Sequence, residues 1–356
     1  MLNAAIISAI EDFAPASFQE SWDNTGLQVG SLRAECTGVL LCVDVTPAIV
    51  DEARDRGCSL IVSHHPLIFK GLKRLTGNTP VEEAVMRAIS YGISIYSCHT
   101  AVDSTPGGVS YRMAAMLGAE PVRVLQPLTD RLVSLRVTVK ADALDKALTA
   151  FSQNDVACSV TDTRTCFNAD VTDDPFGSAK TLSVNSSVIE AVTDKSVATG
   201  LCSEITEVTG SGLLSLSVTK DSRSYTSVGL GVIALLSDGL TARSLVDKVK
   251  TVFNSPVARC TPLPDDDITI RHIAMCGGSG SEFISDAVRA GAQAFITSDT
   301  RYHDFVDWQN DILIIDIGHF ESESCTKEIF YNVIREKFPN FACYYSEVEE
   351  NPIIYI

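Results

Sequence analysis

The sequence predicts an α/β protein with a parallel-rich sheet flanked by helices, interrupted by a smaller inserted α+β unit. Three observations predict it. Short apolar runs alternate with amphipathic stretches at both ends of the chain, as in strand–helix–strand units whose helices cover both faces of a sheet. The middle is rich in Ser and Thr and alternates apolar with polar side chains. All six histidines, at 64, 65, 99, 272, 303 and 319, lie outside that middle. The expected division is a discontinuous outer domain of residues 1–128 and 226–356 and an insert of residues 129–225. A chain of 356 residues is long enough for two such units.

Taken in order, residues 3–14 place Ile6, Ile7, Ile10 and Phe13 on one helical face. A polar turn, Ser21-Trp22-Asp23-Asn24-Thr25-Gly26-Leu27, follows. Val39 to Val43 reads as a buried strand. Thr46-Pro47 then opens a helix, Thr46 as its N-cap and Pro47 at the first helical position. Cys58 to Val62 is the next strand, 80–91 a helix, and Ile93 to Tyr96 a third strand. In the insert, Leu132 to Val139 alternates like a half-exposed strand, Ala141 to Phe151 reads as a helix, and further strands surround Val160 and Leu213 to Val218. The C-terminal part repeats the first pattern. Strands are expected at Ile273 to Cys276, Ala294 to Ile296 and Ile312 to Ile317, and a final helix carries Ile329, Val333 and Ile334 on one face.

Bulk chemistry narrows the function classes. Net charge is −17, which disfavours nonspecific binding to nucleic acid or to an anionic membrane. A nucleotide ligand stays compatible, because bound cations reverse the field locally. The eleven cysteines include no Cys-x-x-Cys pair, and several sit in apolar runs, as free thiols of a reducing compartment do. Glu11 and Asp12 interrupt the first apolar stretch, no basic segment precedes it, and no apolar run approaches a membrane span. The expectation is a cytoplasmic protein.

Three of the expected strands run into metal-ligating side chains. One leads to Ser63-His64-His65-Pro66, one to Cys98-His99-Thr100-Ala101-Val102-Asp103, and one to Gly318-His319-Phe320-Glu321-Ser322-Glu323. Ligands bind beyond the carboxyl ends of parallel strands, so the three segments are expected on one side of one sheet. His99 and Asp103, and likewise His319 and Glu323, are four residues apart and share a helical face. Imidazole with carboxylate suits Zn, Mn, Fe, Co or Ni. Asp299, Tyr302, His303 and Asp304 follow another strand and are candidates to line the same cleft, and Asn24, Thr25 and Gly26 could border it. His272 precedes a strand and reads as structural. Gly277-Gly278-Ser279-Gly280 reads as a tight turn, with phosphate binding on a helix N-terminus as the alternative.

The chain resembles the NIF-three-like dinuclear metal-centre family, also called GTP cyclohydrolase I type 2-like. The resemblance rests on Ser21 through Gly30, Ser63-His64-His65-Pro66-Leu67, His99 through Asp103, Cys276 through Gly280, Ser298 through Asp304, and Gly318 through Glu323. It implies two divalent metal ions per subunit (Zn, Fe, Mn, Co or Ni). His64 and Asp103 would hold one, His65 and His319 the other, with Glu323 shared and His99 nearby. It also implies a ferredoxin-like (PII- or CutA-like) insert and a homohexamer with sites facing an internal cavity. The activity expected is that of a metal-dependent hydrolase acting on a nucleotide or related phosphorylated compound, with His99 and His303 as proton carriers. A non-catalytic metal-binding regulatory or scaffold protein and a phosphoesterase are the alternatives.

Overall fold

Apolar runs become strands and the capping signals become helix starts. The computed structural model describes residues 1–129, 131–169, 180–223, 227–265 and 268–356. The chain divides into two units, Met1–Leu128 with Thr226–Ile356, and Thr129–Tyr225.

The first unit begins with β1 (Gly26–Val29), β2 (Val39–Cys42), β3 (Leu60–Ser63) and β4 (Ser94–Ser97). β2, β3 and β4 pair in parallel, whereas β1 lies antiparallel against β4. Every residue of β2, β3 and β4 is buried, which is why these strands read as unbroken apolar runs. The helices between them start as their caps dictate. Thr46 accepts from the Ile49 amide at 3.4 Å and Thr79 from the Glu82 amide at 3.2 Å, each followed by proline. β5 (Ala119–Pro127) then leads to the second unit.

The second unit contains β6 (Leu132–Lys140), the helix Leu144–Gln153, β7 (Cys158–Ala169), β8 (Lys180–Asp194), the helix Lys195–Thr209 and β9 (Leu213–Lys220). Its sheet is antiparallel throughout, in the order β7-β8-β6-β9. Val133, Leu135 and Val137 alternate inward along β6 and join Phe151, Leu201 and Ile205 from the two helices in a core of their own.

Back in the first unit come β10 (Gly229–Leu240), β11 (Arg259–Cys260), β12 (Ile270–Ser279), β13 (Ala294–Ser298), β14 (Leu313–Asp316) and β15 (Cys343–Tyr345). The sequence leads one to expect a single parallel-rich sheet here, and the structure corrects this. There are two mixed sheets, β1-β4-β3-β2-β15 and β11-β14-β13-β12-β10-β5. Only β12, β13 and β14 are mutually parallel in the second, and β5, β10 and β11 add antiparallel partners. Alternate side chains explain the arrangement. Leu41, Val62 and Tyr96 of one sheet share a cluster with Met275, Ile296 and Ile315 of the other, together with residues of the helices Asn3–Phe13 and Thr326–Lys337. The intervening residues Leu40, Ile61 and Ile95 pack under one set of outer helices, and Ala274, Phe295 and Ile314 under another. The central strands β2, β3, β4, β13 and β14 are thus buried on both faces, whichever sheet they join. Among the described residues, no helix is long and apolar enough to cross a membrane.

Candidate metal centre

The carboxyl ends of parallel strands in both sheets open onto one site. His64 and His65 follow β3, and His99 follows β4. Asp103 sits one turn further on, in the short helix Thr100–Ser104. His319 and Glu323 are the first and last residues of the helix His319–Glu323, which follows β14. The convergence expected from the sequence is therefore found, but its members come from two sheets rather than from one.

The imidazoles share one orientation. His65 Nδ1 donates to Asp44 Oδ1 at 2.9 Å, His99 Nδ1 to Asp23 Oδ1 at 2.8 Å, and His319 Nδ1 to Asp299 Oδ2 at 2.7 Å. His64 Nδ1 faces the carbonyl oxygen of Cys98 at 3.2 Å. An outward acceptor fixes the hydrogen on Nδ1 of a neutral ring and leaves Nε2 as a ligand atom, as at metal-bound histidines. The Nε2 atoms point inward. His65 Nε2 lies 2.9 Å and His319 Nε2 3.0 Å from Glu323 Oε2, and the two nitrogens are 3.3 Å apart. His64 Nε2 lies 3.5 Å from Glu323 Oε1 and 3.8 Å from Asp103 Oδ1. Two groups, His64 with His65 and His99, and His65 with His319 and Glu323, each bring their potential ligand atoms within 4.8 Å of one another.

Two further observations fit these residues to a cation. His64 Nε2, Asp103 Oδ1 and Glu323 Oε2 are buried and lack a hydrogen-bond partner of acceptable geometry. Polar atoms buried without such partners are costly unless a cation takes up their lone pairs. Gly278 also makes way for the carboxylate. Its φ is +62°, and a Cβ there would come 2.0 Å from Glu323 Oε1.

Without a metal, the site's charges pull on each other. Burial drives the His64 imidazole down to about 4, against the pull of Glu323. Burial opposes charge on His65 too, but Asp44 and Glu323 outweigh it and hold the ring up at about 10. His319 is likewise held up at about 9 by Glu323 and Asp299. Burial disfavours ionisation of both central carboxyls. The surrounding imidazoles nevertheless hold Glu323 well below the usual range, and Asp103, beside the Glu323 charge, is pushed well above it.

Other candidates fall at different distances. Asp299 belongs to the centre through His319, whereas Tyr302 and His303 are exposed on the helix Tyr302–Trp308, with ring centroids 5.4 Å apart. Asp304 caps that helix, accepting from the Arg301 amide at 2.7 Å. His272 lies exposed near the start of β12. The glycine segment 277–280 is largely strand rather than turn, because β12 runs to Ser279. Gly278 donates to Ser322 Oγ at 2.9 Å and so braces the helix that carries Glu323. Asn24 bonds the Ile68 carbonyl, Thr25 Oγ1 accepts from the His99 amide at 3.3 Å, and Gly26 starts β1. Cys98 is fully buried and its thiol is pushed up by that burial, so it serves the site through its carbonyl. Sequence reasoning missed the roles of Asp23 and Asp44. Asp44 had a usable signal, since it lies just beyond the carboxyl end of β2. Asp23, in a polar turn, had none.

Comparison with known proteins gives the family and supports the fold. Residues 1–352 match the Duf34/NIF3 (NGG1p interacting factor 3) family. A Halalkalibacterium halodurans protein named GTP cyclohydrolase 1 type 2 homolog is 29% identical over 371 residues, covering 99% of this chain and 98% of the relative. Among solved structures, a Bacillus cereus protein related to NIF3 aligns at a TM-score of 0.79 and 24% identity, over 100% of this chain and 99% of that one. A Staphylococcus aureus hypothetical protein aligns at 0.78 and 28% identity, with the same coverage.

Proposed function

The chain belongs to the Duf34/NIF3 family, and from that premise we propose that it is a metal-dependent hydrolase that holds two divalent ions and acts on a nucleotide or related phosphorylated compound. The observation that carries this reading is the shared direction of the imidazoles, Nδ1 tied outward and Nε2 turned onto buried carboxylates. In this reading His64 and Asp103 hold one ion, His65 and His319 the other, and Glu323 serves both. The mixed nitrogen and oxygen donors suit Zn, Fe, Mn, Co or Ni. Such ions, when bound, act as Lewis acids toward carbonyl or phosphoryl oxygens and acidify water.

The protein's own residues supply the rest. Asp44 and Asp299 hold His65 and His319 in the orientation and tautomer that expose Nε2. His64, wholly buried, closes the inner side to water. His99, steered by Asp23, can take or give a proton at Nε2 beside the centre. His303, exposed on the neighbouring helix, is the second proton carrier and exchanges with solvent. The name carried by relatives suggests GTP as the first substrate to try; there two waters would be consumed in opening the imidazole ring of the base, its carbon leaving as formate and each former ring nitrogen left as an amine.

We read the second unit as a ferredoxin-like insert of the PII or CutA kind, on its strand–helix–strand, strand–helix–strand order and its sheet order β7-β8-β6-β9. We extend the reading to a cytoplasmic homohexamer, which sedimentation velocity tests by the presence or absence of a six-chain species.

The test of activity is a screen of GTP, other nucleotides and generic phosphoesters with Mn, Fe, Zn or Co supplied. Wild type is expected to turn over a substrate that His65→Ala and Glu323→Ala do not. Equal rates in all three would remove the hydrolase reading for that substrate. Retained metal with no turnover across the screen would assign the non-catalytic regulatory or scaffold role instead.

A further inference from the structure

Two large aromatic side chains stand in solvent beside the centre. Trp22 is 58% exposed and Phe69 50%. Their ring centroids are 6.0 Å apart and their planes are inclined at 54°, so together they make an open corner. Trp22 also meets the His99 ring edge-on at 6.0 Å, and His99 lies 5.2 Å from His64 and 5.3 Å from His65. The rings thus form an unbroken path from solvent to the candidate metal ligands.

The corner is exposed but well anchored. Asp23, next to Trp22, accepts from the Thr100 amide at 3.0 Å and from His99 Nδ1 at 2.8 Å. Asn24 donates to the Ile68 carbonyl at 2.6 Å, and Gln28 Oε1 accepts from the Ile68 amide at 3.3 Å, which ties the Trp22 turn to the backbone beside Phe69. A fixed, solvent-facing aromatic pair gains by stacking a flat ligand and loses little entropy in doing so.

Phe69 belongs to a long segment, residues 64–79, with no helix or strand between β3 and the helix Pro80–Tyr91. Segments of that length without regular structure are commonly binding loops. Lys70, Lys73 and Arg74 follow Phe69 directly, all exposed, and no ion pair among the described residues engages them. In a chain of net charge −17, an anionic ligand is repelled at long range, so three exposed cations within five residues of Phe69 matter.

We propose that Trp22 and Phe69 form the platform for a flat heteroaromatic ring, and that Lys70, Lys73 and Arg74 receive phosphate groups on the same molecule. The ligand class is then a phosphorylated heterocycle such as a nucleotide, its ring directed toward His99. This rests on the reading of the centre as a site for a nucleotide or related phosphorylated compound.

Calorimetric titration of the metal-loaded full chain with GTP, guanosine and inorganic triphosphate separates the contributions. Trp22→Ala and Phe69→Ala are each expected to weaken GTP binding by roughly tenfold, the scale of one base–aromatic stack, and to leave triphosphate binding within about twofold. Trp22→Phe, which keeps a ring, should restore most of the GTP affinity. Replacing Lys70, Lys73 and Arg74 together by Gln should weaken GTP and triphosphate alike and leave guanosine unchanged. Metal content, measured on the same samples, should not move in any variant. Equal GTP affinity in wild type, Trp22→Ala and Phe69→Ala would overturn the proposal, as would equal affinity of wild type for GTP and triphosphate. Ring-dependent GTP binding without product formation would leave this proposal standing and count against the hydrolase reading alone.

Discussion

His64 and His65 are neighbours in the chain, yet their environments differ sharply, and in the proposed centre they serve different ions. His64 is wholly buried, rests Nδ1 on a backbone carbonyl and is driven down to about 4 by that burial. His65 is partly exposed, donates to the Asp44 carboxylate and is held up at about 10. The same split extends to their partners. Asp103 lies on the inner side, where burial pushes its carboxyl up, and His319 lies on the outer side, tied to the exposed Asp299 and held up at about 9. Glu323 faces both. The contrast teaches that the halves need not bind alike. In the proposed centre the inner ion would meet the buried, neutral imidazole of His64, whereas the partly exposed His65 and His319 must shed protons before they can coordinate a cation.

Removing what the halves share should have the largest effect. Glu323→Ala is expected to strip metal from both, read by elemental analysis as a fall to near zero; full retention would mean that Glu323 is no ligand. Gly278→Ala comes next. Its methyl would meet Glu323 Oε1 at 2.0 Å from a backbone at φ +62°, so the carboxylate must move. Loss of metal from both halves is expected, with a stability cost of about 1–3 kcal/mol in denaturant titrations. An unchanged variant would show that the fit at Gly278 is slack.

Smaller substitutions should divide the halves. Asp44→Asn and Asp299→Asn leave the imidazoles in place but weaken their outward anchors. Outer-half affinity should fall by about 10–100-fold, the usual effect of losing such a partner, with inner-half affinity unchanged in competition with a chelator. A comparable loss in both halves would erase the distinction.

The pH dependence is the gentlest test. In the metal-free chain the raised imidazoles stabilise the fold in full below their ordinary value of 6.5, and that stability is lost as pH rises through about 9 for His319 and about 10 for His65. Metal-free stability should therefore decline on the alkaline side, while outer-half metal affinity climbs over the same range as protons cease to compete. His64, already neutral above about 4, adds nothing to that slope. Paired thermal melts with and without metal would show the two trends diverging.

Much of this contrast was out of reach of the sequence, although the residues themselves were not. β2, β3, β4, β13 and β14 stood out because burial on both faces removes polar positions from a strand, and His64, His99 and His319 stood out because each follows such a run. Strand assignment to a sheet was not legible. Val62 and Ile296 look alike locally, and only long-range pairing puts them on different sheets facing a common core. The antiparallel additions β1, β5 and β10 and the parallel edge strand β15 were missed for the same reason. Asp23 and Asp44 read as ordinary loop acids, since a side chain's role in orienting a histidine is set by an approach across dozens of residues, 76 for Asp23 and His99. His303 follows a strand as the metal-centre histidines do, but its helix leaves it exposed at the side.

The most direct test of a two-part centre is metal stoichiometry in wild type beside the single-half variants Asp103→Ala and His319→Ala, each purified anaerobically with metal supplied. The account predicts two ions per chain in wild type and one in each variant, with the ion left in His319→Ala insensitive to Asp44→Asn. A wild type that holds no metal, or a single ion lost equally in both variants, would contradict it.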